Sequence, residues 1–118
     1  MSLTKEQIFA CNDVVLEKVS VPEWGGHVYV KNMSVADREQ FEEIIINSSN
    51  GDQKANLKNF RFRLVQLCCV DKNGIKLFEL EDVERFNEKN CAAVDRVVDV
   101  CKKSSLFTQQ DVDELVKN

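Results

Sequence analysis

The sequence predicts an α+β fold that is mainly helical, with an N-terminal β-hairpin packed on four to six short helices. Two β-rich runs, 14–21 and 28–30, are separated by a proline and two glycines, which is typical of two strands joined by a turn. Later segments repeat apolar residues every three or four positions, the spacing of one helix face. The length of 118 residues fits a single domain, which we expect to span residues 1–118.

The first two helices are predicted from their capping residues. The run 4–7 (Thr-Lys-Glu-Gln) has the pattern of a capping box and predicts a short helix over about 5–11. Ser34 followed by Asp37 predicts a second helix start, and this helix should end at the polar, turn-prone run 47–52. Its apolar face is predicted to consist of Val35, Phe41, Ile44 and Ile45.

A longer central helix is predicted over about 54–70. Its face is predicted to carry Leu57, Phe60, Arg61, Leu64, Val65 and Cys68. The alternating run 60–63 (Phe-Arg-Phe-Arg) fits a strand as well, so that alternative stays open. A turn at 71–74 should then lead the chain back to the core at Leu77 and Phe78.

The C-terminal third is predicted to be helical. A short acidic helix should cover 81–86, Asn90 should cap a further helix, and Thr108 with Asp111 should open a last one. The buried stripe of the helix after Asn90 is predicted to consist of Val94, Val97, Val98 and Cys101.

Charge and hydropathy exclude two classes of partner. The net charge of -4 gives no electrostatic reason to bind nucleic acid as the main partner. The apolar runs are far shorter than the roughly 20 residues that a membrane span needs, so we expect no membrane insertion. The first residues lack a secretory signal pattern, and the protein is therefore expected to be cytoplasmic.

We predict no catalytic, cofactor-binding or metal site, and hence no enzyme. His27 is the only histidine and has no companions for a triad or a metal site, so we interpret it as structural. The four glycines form no phosphate-binding pattern. The abundant carboxylates are interpreted as solvated helix faces, because two acids facing each other across a cleft cannot be recognised from sequence.

The cysteines suit a reducing compartment. Their number is five, they include no Cys-x-x-Cys spacing, and an odd count fits neither a disulfide framework nor a zinc site. We therefore expect most of them to pack in the core as small hydrophobic residues. They are Cys11, Cys68, Cys69, Cys91 and Cys101.

One charge pattern suggests a binding surface. The run 53–70 carries basic residues and no acid, whereas 79–88 carries five acids against Arg85. One interpretation is two solvated faces or two segments that pack near each other. The other is a basic stripe that docks an acidic patch on a protein partner. The candidate partner-binding residues are Lys54, Lys58, Arg61 and Arg63.

Several motifs together resemble the tail assembly chaperones of long-tailed (siphovirus-type) bacteriophages. The run 19–26 (Val-Ser-Val-Pro-Glu-Trp-Gly-Gly), followed by 28–30, Ser34 and 38–42, is similar to the N-terminal half of these proteins. Further similar segments follow in the expected order, up to a late helix at 92–98, so the resemblance covers nearly the whole chain. The most specific part is the turn formed by Pro22, Trp24, Gly25 and Gly26.

This turn has a physical interpretation that is independent of the resemblance. Pro22 should end one strand, and Gly25 and Gly26 supply backbone conformations that other residues resist. We expect Trp24 to be largely buried, with its indole folded over the core.

The resemblance implies a non-enzymatic chaperone that binds the tape measure protein and the tail tube protein in the bacterial host cytoplasm and is absent from the mature virion. This chain would be the short, non-frameshifted form, and self-association into a homo-oligomer is left open. Two rivals remain: a structural phage neck or tail completion protein, and a small helical regulatory binding domain.

Overall fold

The structure of the protein is a computed structural model that describes residues 1–47 and 59–105. Several predicted features lie outside the described residues. These are the polar loop from Ser48 onward, the first part of the central helix with Leu57, and the last helix opened by Thr108 and Asp111.

The described chain is an antiparallel hairpin and a third short strand combined with helices, which confirms the mainly helical α+β class. The helices are α1 (Lys5–Ala10), α2 (Val35–Asn47), α3 (Phe60–Cys68), α4 (Val83–Phe86) and α5 (Cys91–Ser104). The strands are β1 (Leu16–Val21), β2 (Gly26–Lys31) and β3 (Cys69–Val70). One-turn 3₁₀ helices cover Pro22–Trp24 and Leu80–Asp82.

The sheet has the order β1-β2-β3, with both pairs antiparallel. The hairpin register places Leu16 opposite Lys31 and Val21 opposite Gly26, so the strands meet at the predicted turn. β3 was not predicted, because residues 54–70 were assigned to one helix. The helix ends at Cys68 instead, since Cys69 and Val70 pair with β2 and gain sheet hydrogen bonds there.

The core lies between the sheet and α2, α3 and α5. Alternate residues of β1 point into it: Val19 and Val21 are buried while Ser20 between them is exposed. The predicted stripe of α5 is confirmed, and Ala93 joins it as a further buried residue.

The central helix does not bury the predicted single face. The run 60–63 is helical, which rules out the strand alternative. Arg61 is exposed and Phe60 half-buried, whereas the buried set of α3 is Phe62, Leu64, Val65, Leu67 and Cys68. Because α3 contacts both α2 and α5, its burial extends around much of the helix, and a single apolar stripe does not describe it.

Two other predicted core positions are wrong. Val35 is 76% exposed because it lies in the first turn of α2, whereas Phe41 on the same helix is fully buried. Leu77 is 46% exposed, and only its neighbour Phe78 packs against the core.

The predicted helix starts are confirmed by side-chain hydrogen bonds. The backbone N–H of Gln7 donates to Thr4 Oγ1 at 3.2 Å, and that of Thr4 donates to Gln7 Oε1 at 2.9 Å. The N–H of Asp37 donates to Ser34 Oγ at 3.1 Å. At the start of α5, the N–H of Ala93 donates to Asn90 Oδ1 at 3.0 Å.

Deletion of residues 2–11 should change the free energy of unfolding by less than about 1 kcal/mol. Helix α1 contains no buried residue, and Ile8 and Phe9 are 53% and 79% exposed. A helix this short gains little stability by itself. Urea denaturation of the full chain and the deletion variant tests the prediction. A loss above about 2 kcal/mol would show that α1 packs on the domain in solution.

Candidate protein-binding groove

An open groove of about 840 Å³ lies between the Pro22–Trp24 turn and the segment 77–89. Its apolar lining consists of Trp24, Leu77, Phe78 and Phe86. Its charged lining consists of Glu23, Asp82, Arg85, Glu88 and Lys89. A concave surface with an apolar lining and charged edges is typical of a binding site.

Trp24 reaches the groove through the conformation of the hairpin turn. Pro22 opens a one-turn 3₁₀ helix, and Gly25 closes it with φ 76° and ψ 20°, the left-handed conformation that glycine adopts readily. The N–H of Gly25 donates to the carbonyl of Pro22 at 3.0 Å. Gly26 then begins β2 opposite Val21.

The expectation that Trp24 is largely buried over the core is wrong. The indole is 36% exposed. The turn lies beyond Val21, the last buried residue of β1, so the indole lines the groove instead of the interior. The turn motif is therefore a surface feature as well as a structural one.

Three phenylalanines connect the groove to the core. The rings of Phe62 and Phe86 meet edge to face with their centroids 5.2 Å apart, and Phe86 meets Phe78 in the same way at 5.7 Å. The side-chain amide of Gln66 in α3 donates to the carbonyl of Phe78 at 3.4 Å. These contacts hold the irregular segment around Phe78 against α3.

Glu23 is held by an arginine of α5. Arg96 Nη2 donates to Glu23 Oε2 at 2.9 Å, and Arg96 Nη1 forms a second contact with Glu23 Oε1. This bidentate contact lowers the pKa of Glu23 below its ordinary value. The pair joins the turn beside Trp24 to α5.

Asp82 on the opposite side of the groove is held by local contacts. The backbone N–H of Glu79 donates to Asp82 Oδ2 at 2.8 Å, and Arg85 forms an ion pair with Asp82 Oδ1. Both contacts lower the pKa of Asp82, the backbone hydrogen bond more than the ion pair. The predicted acidic helix thus begins at a capping box formed by Glu79 and Asp82 and continues into α4.

Three other acids near the groove are unpaired within the described residues. Glu81, Glu84 and Glu88 are exposed and form no ion pair with any residue that the structure describes. Leu80, which directly precedes Glu81, is 56% exposed. The segment 79–89 next to the groove therefore combines an exposed apolar side chain with a net negative charge.

Only two of the four candidate partner-binding residues, Arg61 and Arg63, lie within the described part of the chain. Lys54 and Lys58 lie outside the described residues. Arg61 is exposed and pairs with Asp95 of α5, with Arg61 Nε 2.5 Å from Asp95 Oδ1. Residues two apart on a helix point in different directions, so Arg61 and Arg63 do not share a face.

Arg63 is the less exposed of the two arginines. Its Nε atom is buried without a hydrogen-bond partner among the described residues, and burial lowers the pKa of this guanidinium. The role of the four basic residues in partner binding stays a prediction.

The cysteines and the histidine take ordinary structural positions. Cys68, Cys69 and Cys101 are buried, as expected for most of the cysteines, whereas Cys11 and Cys91 are exposed. His27 is exposed, and its ring meets Tyr29 edge to face at 5.3 Å.

The described residues form neither a metal-binding cluster nor a membrane-spanning helix. Within 1–47 and 59–105, no cluster of three histidine, cysteine or acidic side chains is arranged to hold a metal ion. Over the same residues, no helix has the length and apolar character needed to cross a membrane.

The fold is similar to that of a solved phage protein. No protein-family model and no curated protein sequence matches the chain. Among solved structures, the bacteriophage HK97 tail assembly chaperone matches with a TM-score of 0.54 and 16% sequence identity, over 88% of this chain and 92% of that chain. The protein has the fold of a phage tail assembly chaperone. The resemblance that the sequence motifs indicate is thus confirmed for the fold.

The groove of this chaperone-like fold was not predicted from the sequence. Trp24 was singled out, but as a core residue, and Leu77 was expected to be buried with Phe78. A local signal was present, since Leu77 and Leu80 stand in a segment that lacks helical spacing and is rich in acids. The sequence instead predicted a basic binding surface, the run that begins at Lys54, whereas the segment beside the groove is acidic.

Proposed function

We propose that this protein is a non-enzymatic tail assembly chaperone of a long-tailed bacteriophage. The observation that carries the proposal is the fold shared with the HK97 tail assembly chaperone, which extends over 88% of this chain. The turn from Pro22 to Gly26 also supports it, because the sequence of this turn resembles that of the same family.

The proposed partners are the tape measure protein and the tail tube protein. A chaperone must hold such subunits and release them, so it needs an exposed surface of moderate affinity. The groove beside Trp24 supplies exposed apolar side chains, and charged side chains around it speed encounter more than they tighten a complex.

The proposed site of action is the bacterial host cytoplasm, during tail morphogenesis. In this proposal the protein leaves the assembled tail and is absent from the mature virion. The rival is a structural neck or tail completion protein, which would remain in purified virions. Mass spectrometry of virions distinguishes the two.

When co-expressed with its phage's tape measure and tail tube proteins, the wild-type chain should co-purify with at least one of them. Lys54→Glu with Lys58→Glu should weaken a complex at low salt, because both substitutions reverse charge in the basic run. Circular dichroism should show that the doubly substituted protein is folded, so that weaker capture reports a loss of binding. The measurement is a pull-down at low and moderate salt.

A matched control reverses two lysines elsewhere. Lys18→Glu with Lys72→Glu changes the net charge equally at exposed positions in β1 and in the 71–74 turn, and it should leave capture unchanged. If the folded wild type captures neither tail protein, the chaperone proposal fails and the structural rival takes its place.

A further inference from the structure

We propose that the groove beside Trp24 docks an amphipathic segment of a partner protein, with apolar side chains that enter the groove and flanking lysines or arginines that pair with its acidic edge. The inference rests on the proposed function to the extent that this partner is a tail protein. It does not involve the basic run 54–63, because that run would bind an acidic partner whereas the groove would bind a basic one.

Large apolar side chains are exposed in the groove and next to it in the chain. Trp24 and Leu77 line the groove and are 36% and 46% exposed, although Phe86 in the same lining packs on the buried ring of Phe62. Leu80, three residues after Leu77, is 56% exposed. Apolar residues clustered in this way, with charged residues around them, mark interaction sites on soluble proteins. Tryptophan is also enriched among the residues that dominate binding energy.

The charge of the segment beside the groove favours a basic partner. Segment 79–89 contains five acids and two bases, Arg85 and Lys89. Arg85 is already paired with Asp82, and Glu81, Glu84 and Glu88 have no cationic partner in the described parts of the chain. A basic segment therefore gains favourable interactions along this edge, whereas an acidic segment of the same apolar content is repelled.

The groove walls are held in place without a partner. Arg96 anchors Glu23 on one side, and the capping box of Glu79 and Asp82 orders the other. Phe78 at the base packs edge to face on Phe86. Because these walls are already ordered, little conformational entropy is lost on docking.

Trp24 is the only tryptophan, so its fluorescence reports on the groove directly. The probe is a synthetic amphipathic helical peptide of about 14 leucine and lysine residues, without tryptophan. The same peptide with glutamate in place of lysine is the control. Titrating the full chain with the basic peptide should give a saturable blue shift, and the acidic peptide should bind at least about tenfold more weakly.

Two sets of variants separate charge from apolar contact. Glu81→Gln, Glu84→Gln and Glu88→Gln together should weaken binding of the basic peptide about tenfold and reduce its dependence on salt. The matched control changes Glu6, Glu39 and Glu43 to glutamine at exposed positions on α1 and α2, and it should bind as the wild type does. Leu77→Ser with Leu80→Ser should remove the blue shift while the far-ultraviolet circular dichroism stays unchanged.

The inference is overturned if both peptides bind equally, if neither changes the fluorescence, or if the triple glutamine variant binds as tightly as the wild type. The co-expression pull-down separates this result from the proposed function. If a tail protein is captured equally by the wild type and by Leu77→Ser with Leu80→Ser, the chaperone function stands and the groove inference fails. If no tail protein is captured, the proposed function fails and the peptide titration still decides the role of the groove.

Discussion

Replacing Phe62 with alanine should lower the free energy of unfolding by about 3–5 kcal/mol. The ring is 2% exposed, lies in α3 and meets Phe86 edge to face. Its removal takes away buried apolar surface and leaves a cavity where α3 meets Phe86, and Phe86 in turn loses an aromatic contact. Urea denaturation monitored by circular dichroism gives the free energy of both proteins.

The control for this prediction is the same substitution at an exposed phenylalanine. Phe9 is 79% exposed in α1, and Phe9→Ala should change the stability by less than about 0.5 kcal/mol. If Phe62→Ala lowers the free energy of unfolding by less than about 1.5 kcal/mol, the packing of α3 is contradicted, because removal of a buried aromatic ring destabilises a domain by more than that.

A thiol reagent should label Cys11 and Cys91 at least about a thousand times faster than the other three cysteines in the folded protein. Cys68, Cys69 and Cys101 are 0%, 1% and 0% exposed, so their labelling requires the domain to open. Opening costs several kcal/mol in a typical domain, which lowers the rate by the corresponding factor.

The ionisation of Cys69 and Cys101 acts in the same direction, whereas a hydrogen bond with Cys101 lowers the pKa of Cys68, whose protection rests on burial alone. Burial raises the pKa of Cys69 from an ordinary value of 9.0 to about 12. The pKa of Cys101 is also raised, by its hydrogen bond with Cys68 and by burial. Because the thiolate is the reactive form, the folded protein keeps the thiols of Cys69 and Cys101 in their inert state at neutral pH.

The raised pKa of Cys69 also predicts a pH dependence of stability. Above pH 9 the unfolded chain loses this proton while the folded chain keeps it until about pH 12. The unfolded state therefore binds fewer protons in this window, and stability should fall as the pH rises through it. Below pH 9 this thiol should contribute no pH dependence.

Timed alkylation followed by mass spectrometry measures the labelling. Two modified cysteines should appear early in native buffer, and five should appear in denaturant. A third cysteine modified as rapidly as Cys11 would show that the packing of Cys68, Cys69 or Cys101 differs from the structure.

Features that depend on neighbouring residues can be predicted from the amino-acid sequence alone. The capping interactions of Thr4, Ser34 and Asn90 form within four residues, so their patterns are legible without a tertiary structure. The hairpin was predictable for the same reason, because its turn is short and its two strands lie beside each other in the chain. The stripe of α5 was predictable because this helix buries one face.

Features that depend on residues distant in the chain become visible only in the folded protein. Cys69 and Val70 leave the helix because β2, some forty residues earlier, offers them hydrogen bonds. Arg61 forms an ion pair with Asp95 of α5, although its position in the sequence predicted that it lies on the apolar face of the central helix. Trp24 lines a groove because the opposite wall comes from the segment that begins at Leu77. The sequence shows which residues are apolar and how they are spaced. Which other residues each of them contacts depends on how the whole chain packs.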